Sequence, residues 1–366
     1  MDWRVTLPNL FARADALHDR AQARLALLRP SHRSAFIVPY IGFGTPQRLL
    51  VSGRVLRGRP MLPALPGDTG LRNLLRFYRQ MASHEMPGAR MTVAFGGTEQ
   101  QVVADEEGYF HAEIEPASPL PPGPWQQVAL RLEQPEAHGV AQVRVPPATA
   151  RFGIISDIDD TVVWTHASRR LKMLLTVARG NPHTRRPLAG VGALYRALQA
   201  GAGGNECNPI FYVSSSPWNL YPPLLEFLDL QRIPTGPLLL KDFGDHTLFA
   251  LRDHHTHKLA SIERILEIHP SLPFVLIGDS GEQDPEIYRE VVHRYPQRVR
   301  AIYIRQVAPD AARLAALDRL IGEVSESGAQ LVLVPDSEFA AAHAAAEGLI
   351  DPARLTEVRA ETRAQA

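Results

Sequence analysis

The chain has 366 residues, enough for two domains, and a globular composition of 45% hydrophobic and 21% charged residues. Its 39 basic residues balance 39 acidic ones, so no overall field favours nucleic acid or an anionic membrane. One cysteine, Cys207, rules out an internal disulfide, and the charged stretch at the N-terminus lacks the apolar core of a secretion signal. With no run approaching the roughly 18 apolar residues of a spanning helix, the chain is expected to be soluble and cytoplasmic.

Residues 9–28 place Leu10, Ala14, Leu17, Ala21, Leu25 and Leu28 at three- and four-residue spacing, the pattern of an amphipathic helix. From Ser34 to Val145 the rhythm changes. AFIVPYIGF, RLLVSGRVL, RMTVAFG, QQVVAD, GYFHAEIE, QQVALRLEQ and VAQVRVP are seven short β-rich runs. Asp105-Glu106-Glu107-Gly108 reads as a hairpin-type turn, and residues 71–83 as a helical insertion. Seven strands separated by turn signals predict an antiparallel, sandwich-like accessory domain over residues 1–150, in which nothing looks catalytic. The segment PPATA, residues 146–150, marks a boundary.

Beyond it, strands are expected at 152–156, 209–214, 237–242, 274–279, 299–304 and 331–335. Helices fall between them at about 168–179, 191–200, 218–229, 257–268, 284–294 and 310–324. This alternation predicts an α/β fold with a doubly wound, largely parallel sheet over 151–340, followed by a helical or frayed tail at 341–366.

The stretch FGIISDIDDTVVWT, Phe152 to Thr165, organises this half. A short apolar run reads as a buried parallel strand, and its end carries Asp157, Asp159 and Asp160 within four positions. Crowded like charges at a buried strand end call for a cation or a proton to share the site. A hard divalent cation such as Mg2+ suits carboxylates joined by a phosphate. The second strand ends in Ser214-Ser215-Ser216-Pro217-Trp218-Asn219, where a hydroxyl can bind a phosphate oxygen or simply cap the next helix. Lys258 opens the following expected helix, where a cation works against the helix dipole, so it either serves the site or lies solvated on the surface. His254, His255 and His257 are weak zinc candidates and read as a loop. The fourth strand ends in Gly278-Asp279-Ser280-Gly281-Glu282-Gln283-Asp284, adding two carboxylates, Asp279 and Asp284. Ser280 lacks the G-x-S-x-G elbow of a serine nucleophile.

Four short motifs in this order (DxDxT, a strand-end serine, a lysine and GDxxxxD) resemble the haloacid dehalogenase superfamily of aspartate-nucleophile phosphatases. The words SDIDDTV, YVSSSPWNLY, LPFVLIGDSGEQDPEIY and AIYIR narrow the likeness to the phosphatidate phosphatase family of yeast cortical actin patches and its bacterial relatives. The resemblance spans roughly residues 150–340. It implies a Rossmann-like sheet with a minimal cap, and a phosphomonoesterase that works through an aspartyl-phosphate. Asp157 would be the nucleophile and Asp159 the general acid–base. Thr161 would support the loop, and Ser214, Ser215 and Lys258 would hold the phosphoryl group. Mg2+ would be bound by Asp157, Asp159, Asp279 and Asp284, and the residues after Thr161 would form a small flap.

The resemblance implies phosphatidate, or another phosphorylated lipid or small molecule, as substrate, with no nucleic-acid partner. Only about forty residues separate Thr165 from Asn208, too few for a large cap, which leaves the site open to a bulky ester. Residues 169–175, both basic and apolar, are a candidate for peripheral membrane contact, or an ordinary covering helix. Arg185, Arg186, Trp218 and Asn219 are further candidates for substrate contact. Two alternatives stand beside this reading: a phosphatase of a soluble metabolite or a protein, and a binding module whose phosphatase half is vestigial.

Overall fold

The structure is a computed structural model and describes residues 34–58, 85–158, 161, 188–241, 254–307 and 310–365. The expected helices at 9–28, 71–83 and 168–179 lie outside the described residues. So do the flap, Asp159, Asp160, Arg185, Arg186 and the basic–apolar segment 169–175. No helix among the described residues is long and apolar enough to cross a membrane.

The N-terminal half forms one hydrogen-bonded sheet of eight strands. They are β1 (Ala35–Pro39), β2 (Gly42–Thr45), β3 (Arg48–Arg57), β4 (Arg90–Phe95), β5 (Thr98–Val103), β6 (Tyr109–Ile114), β7 (Trp125–Leu132) and β8 (Ala137–Arg144). The order is β1-β3-β2-β8-β7-β4-β5, with β6 also paired to β3. Alternation builds it: on β7, Val128, Leu130 and Leu132 are buried while Gln127, Ala129 and Arg131 face outward. The inward set joins Leu49, Val51, Met91, Val93, Ile114 and Val143 in one core.

Three features differ from expectation. The first expected strand is two, broken at Tyr40-Ile41, because Tyr40 turns out of this core and the Ile41 N–H donates to Tyr221 Oη at 2.7 Å. The sheet is not wholly antiparallel, since β2 and β8 pair in parallel through Gly42 and Phe43. The 105–108 turn exists, with Gly108 at φ 80°, but it leads from β5 to a strand paired with β3 rather than back along β5. Asp105 Oδ1 shapes it by accepting from the N–H groups of Glu107 and Tyr109.

The second half is a six-stranded, wholly parallel sheet: β9 (Gly153–Ser156), β10 (Ile210–Pro217), β11 (Leu238–Lys241), β12 (Phe274–Asp279), β13 (Val299–Arg305) and β14 (Leu331–Val334). Its order, β11-β10-β9-β12-β13-β14, puts the first strand in the middle. The chain steps from β9 to β10 on one side and later resumes at β12 on the other. Such a reversal opens a crevice at the carboxyl ends of the central strands.

Both faces are covered. Ile154, Tyr212 and Val275 point into one core with α1 (Val191–Ala200), α2 (Tyr221–Leu230), α6 (Ser337–Ala346) and α7 (Leu355–Gln365). Their alternates Ile155, Phe211 and Leu276 point into the other with α3 (His254–Ile268), α4 (Asp284–Arg294) and α5 (Ala311–Glu326). The tail, expected as helical or frayed, is helical. Ala340, Ala344, Ile350 and Val358 are buried, and Gln365 Oε1 and Glu361 Oε1 accept from the N–H groups of Gly190 and Ala193 at the start of α1. The two sheets share core: Tyr40 and Tyr109 lie in the first cluster, and Phe43 in the second, edge-on to Phe211 at 5.5 Å.

Candidate active site

The central strands carry the polar residues past their ends together. Ser156 on β9 is level with Tyr212 on β10 and Ile277 on β12, so Asp157, Ser214 and Asp279 emerge from three adjacent strands within two residues of a common line. Asp157 follows β9, its N–H donating to the Ile277 carbonyl at 2.9 Å. Behind it runs a relay: the Ser156 hydroxyl donates to the Asp157 carbonyl at 2.6 Å, which leaves its oxygen to accept from Tyr195 Oη at 2.6 Å. Tyr195 is fully buried, and burial, with the nearby Asp157 charge, lifts its hydroxyl well above the usual phenol value against the opposing pull of its Ser156 hydrogen bond. It stays a neutral donor.

Lys258 lies at the centre. Its ammonium is 2.8 Å from Asp157 Oδ1, 2.7 Å from Asp284 Oδ1 and 2.9 Å from Glu282 Oε2, and the residue is 3% exposed. Burial opposes its charge, but Asp157, Asp284 and Glu282 together more than offset this and hold it well above the ordinary lysine value. Lys258 does not open its helix: α3 starts at His254, so the lysine sits past the first turn and the dipole penalty falls away. The histidines expected as a loop form that first turn. His255 Nε2 lies 3.3 Å from Glu290 Oε2, away from the carboxylates.

Asp157, Asp279 and Asp284, all buried, each offer an oxygen within 4.8 Å of the other two; they are the acidic, histidine and cysteine residues among those described that one ion could bridge. Asp279 Oδ1 accepts from the N–H groups of Gly281 and Glu282, whereas its Oδ2 is buried without a hydrogen-bond partner among the described residues. Burial, then the charges of Asp284 and Glu282, push the Asp279 carboxyl up to about 8 against the opposing pull of Lys258. Four carboxylates thus face one ammonium. Gly278 makes the packing feasible, since a Cβ there would stand 2.5 Å from Asp284 Oδ2.

The remaining expected residues divide. Ser214 is fully buried and its Oγ accepts from the Ser216 N–H at 3.0 Å, while the Ser215 and Thr161 hydroxyls are buried with no hydrogen-bond partner among the described residues. Trp218 and Asn219 turn toward the N-terminal sheet: Trp218 stacks on Tyr40 at 4.3 Å and Asn219 Oδ1 accepts from Arg54 at 2.8 Å. Ser280 takes a structural place, its Oγ accepting from the Val307 N–H.

Two residues escaped the sequence reading. Arg313 on α5 donates to the carbonyls of Ser280 and Glu282 and pairs with Glu286, fixing the 279–284 loop from outside. Lys241, buried at the end of β11, is registered beside Pro217. A buried lysine ending an apolar strand was the signal available for the second; a lone arginine inside an amphipathic helix gives none.

Residues 152–306 match the family model "Phosphatidate phosphatase APP1, catalytic domain". An uncharacterized protein of Schizosaccharomyces pombe is 30% identical over 224 residues, which cover 58% of this chain and 36% of the relative. Phosphatidate phosphatase APP1 of Saccharomyces cerevisiae is 31% identical over 155 residues, 42% of this chain and 26% of the relative. The matched part therefore spans well under half the length of either. Among solved structures, a carbohydrate acetylesterase from Xanthomonas citri aligns with a TM-score of 0.30 and 12% identity, covering 89% of this chain and 74% of that one, an overlap too slight to bear on fold or activity. Over residues 152–306, the chain is similar to the catalytic domain of the APP1-type phosphatidate phosphatases.

Proposed function

We propose that this protein is a Mg2+-dependent phosphatase of the haloacid dehalogenase type. In this reading it hydrolyses a phosphomonoester, phosphatidate foremost, through an aspartyl-phosphate on Asp157. One observation carries the reading: a buried lysine shared by Asp157 and Asp284, next to an Asp279 oxygen that no described residue satisfies. Four carboxylates around one ammonium suit a hard cation bound by oxygen. Asp157, Asp279 and Asp284, with the Asp159 carbonyl, would hold Mg2+, whose contribution is to neutralise phosphoryl charge.

The protein's own groups supply the rest. The Tyr195–Ser156 relay fixes the Asp157 backbone, and Lys258 holds its carboxylate in line. An Asp157 oxygen attacks phosphorus as the bond to the leaving alkoxide breaks, and Asp159 gives that alkoxide its proton. Asp159 then takes a proton from water, which attacks the aspartyl-phosphate and releases inorganic phosphate, restoring the Asp157 carboxylate. Lys258 and the serines at the end of β10 hold the equatorial oxygens, so the chemistry is mainly positioning and charge neutralisation.

The preference for a lipid ester is supported by the name of the yeast relative and by the short run between Thr165 and Asn208. The test is phosphate release from phosphatidate in mixed micelles, with and without Mg2+, for wild type and Asp157→Asn. The expected result is Mg2+-dependent release that the variant loses. Cleavage of a soluble ester with phosphatidate untouched would remove the lipid claim and leave the chemistry. Inactivity on every ester would overturn both.

A further inference from the structure

We propose that Arg54 and Tyr40, on the N-terminal sheet, are positioning residues for the strand-end loop that presents Ser214 and Ser215, an inference that rests on the phosphatase reading for its kinetic consequence. The loop leaves β10 at Pro217, makes one 3-10 turn at Trp218–Leu220 and enters α2. Two helix starts elsewhere are fixed locally: Asp310 caps α5 through the Arg313 N–H, and Asp336 caps α6 through the Phe339 N–H. Neither the 3-10 turn nor α2 has a side-chain cap. Among the described residues, the side chains of this turn and of the first residue of α2 find partners on the other sheet.

Three of its side chains have partners there. Trp218 lies flat on Tyr40, with ring centres 4.3 Å apart and planes 14° from parallel. Tyr221 accepts through its hydroxyl from the Ile41 N–H at 2.7 Å and lies 4.5 Å from the Tyr40 ring. Asn219 Oδ1 accepts from Arg54 Nη1 at 2.8 Å. Arg54 is itself fixed: it is 7% exposed, Nε donates to the Glu107 carbonyl, Nη2 to Glu85, and its guanidinium lies 4.5 Å over the Tyr109 ring. An arginine with its nitrogens committed on three sides has little freedom to follow a moving loop. Asn219 is five residues past Ser214, and the Ser216 N–H is already tied to Ser214 Oγ. A shift of Asn219 or Trp218 therefore passes through Pro217 to the hydroxyls expected to meet the phosphoryl oxygens. Read this way, the N-terminal sheet forms the rear wall of the substrate loop.

The test uses full-length Arg54→Met, which keeps the apolar stem over Tyr109 and loses every donor, and Tyr40→Leu. Phe43→Leu serves as control: it loosens the same two sheets at Phe211, on the opposite face of the parallel sheet from Tyr40 and Trp218. Hydrolysis of a soluble aryl phosphate and hydrogen exchange of the 214–221 peptide are measured on all three. For Arg54→Met and Tyr40→Leu, kcat/KM is expected to fall about ten- to a hundredfold, mostly through KM. Exchange at 214–221 should accelerate in both. Phe43→Leu should lower the melting temperature with KM and loop exchange unchanged. Asn219→Ala added to Arg54→Met should cost no more than either single change.

Unchanged exchange in Arg54→Met, or a KM shift equal to that of Phe43→Leu, would overturn the inference. Accelerated exchange in Arg54→Met and Tyr40→Leu, with a wild type that hydrolyses no ester, would refute the phosphatase reading and leave the structural coupling standing.

Discussion

The parallel sheet sends Asp157, Ser214 and Asp279 off its central strands into one crevice, whereas the N-terminal sheet spends its buried polar side chains on its own framework and its seams. Gln126 donates to the carbonyls of Pro121 and Gly123, and Arg144 to those of Pro124 and Cys207. Both residues are 2% exposed, as deeply buried as the catalytic candidates. Burial alone therefore does not mark a site. The difference lies in what the groups meet: Gln126 and Arg144 donate to carbonyls, with Arg144 Nε left over, whereas among the described residues Asp279 Oδ2 and the Ser215 and Thr161 hydroxyls find no hydrogen-bond partner and Lys258 gathers three carboxylates.

Lys258→Met tests this contrast at its strongest point and carries the largest expected effect. Removing the ammonium leaves Asp157 and Asp284 buried without a counter-charge, which costs about 3–5 kcal/mol. Urea unfolding in Mg2+-free buffer should show a loss of that size, and added Mg2+ should recover part of it while phosphatase activity stays lost. A variant as stable as wild type without Mg2+ would show that the carboxylates are not organised around the lysine.

His269 gives the corresponding test at the seam between the sheets. Its ring packs against Phe43 and Phe211, and burial, then the nearby Arg298 charge, push it down to about 4 from 6.5. The neutral form is the one the fold accommodates. Below 6.5 the unfolded chain takes up a proton that the folded chain refuses, so stability falls as pH drops from 6.5 to 4 and the contribution is flat above 6.5. Over that window the loss amounts to about 3 kcal/mol. The difference in unfolding free energy between His269→Phe and wild type should grow by this amount in favour of the variant as pH falls from 7 to 4. A pH-independent difference would place the ring in contact with water.

These residues also mark what sequence reading reaches. The parallel strands were legible because runs such as FVLIG are apolar on both faces, and the carboxylates because each follows such a run. The break at Tyr40-Ile41 was not, since AFIVPYIGF alternates well enough for one strand and only Tyr221, 180 residues on, reveals the turn. The start of α3 was missed because histidine has modest helix propensity and tertiary packing overrides it. His269 and Arg54 gave no signal at all: their roles depend on partners far along the chain, which no local pattern encodes. Trp218 and Asn219 stood out by composition, but their facing toward the N-terminal sheet is a long-range fact of the same kind.

Tyr195 offers the finest test, because it touches neither phosphate nor carboxylate. Its hydroxyl donates to Ser156 Oγ, and Ser156 donates to the Asp157 carbonyl, so two hydrogen bonds connect a core tyrosine to the backbone of Asp157. Tyr195→Phe keeps the ring packing on Tyr212, at 6.4 Å, and removes only the first donor. The stability cost should be about 1 kcal/mol, the net value of one hydrogen bond. Ser156 is then free to rotate its proton away from the Asp157 carbonyl, and kcat should fall by no more than about tenfold with KM unchanged, because the phosphate contacts lie elsewhere. Ser156→Ala should lower kcat by the same factor, and the double variant by no more than either, since both act on one carbonyl. If Tyr195→Phe loses stability at unaltered kcat, the relay is core packing alone, and the orientation of Asp157 rests on Lys258 and on the Ile277 carbonyl that accepts from its N–H.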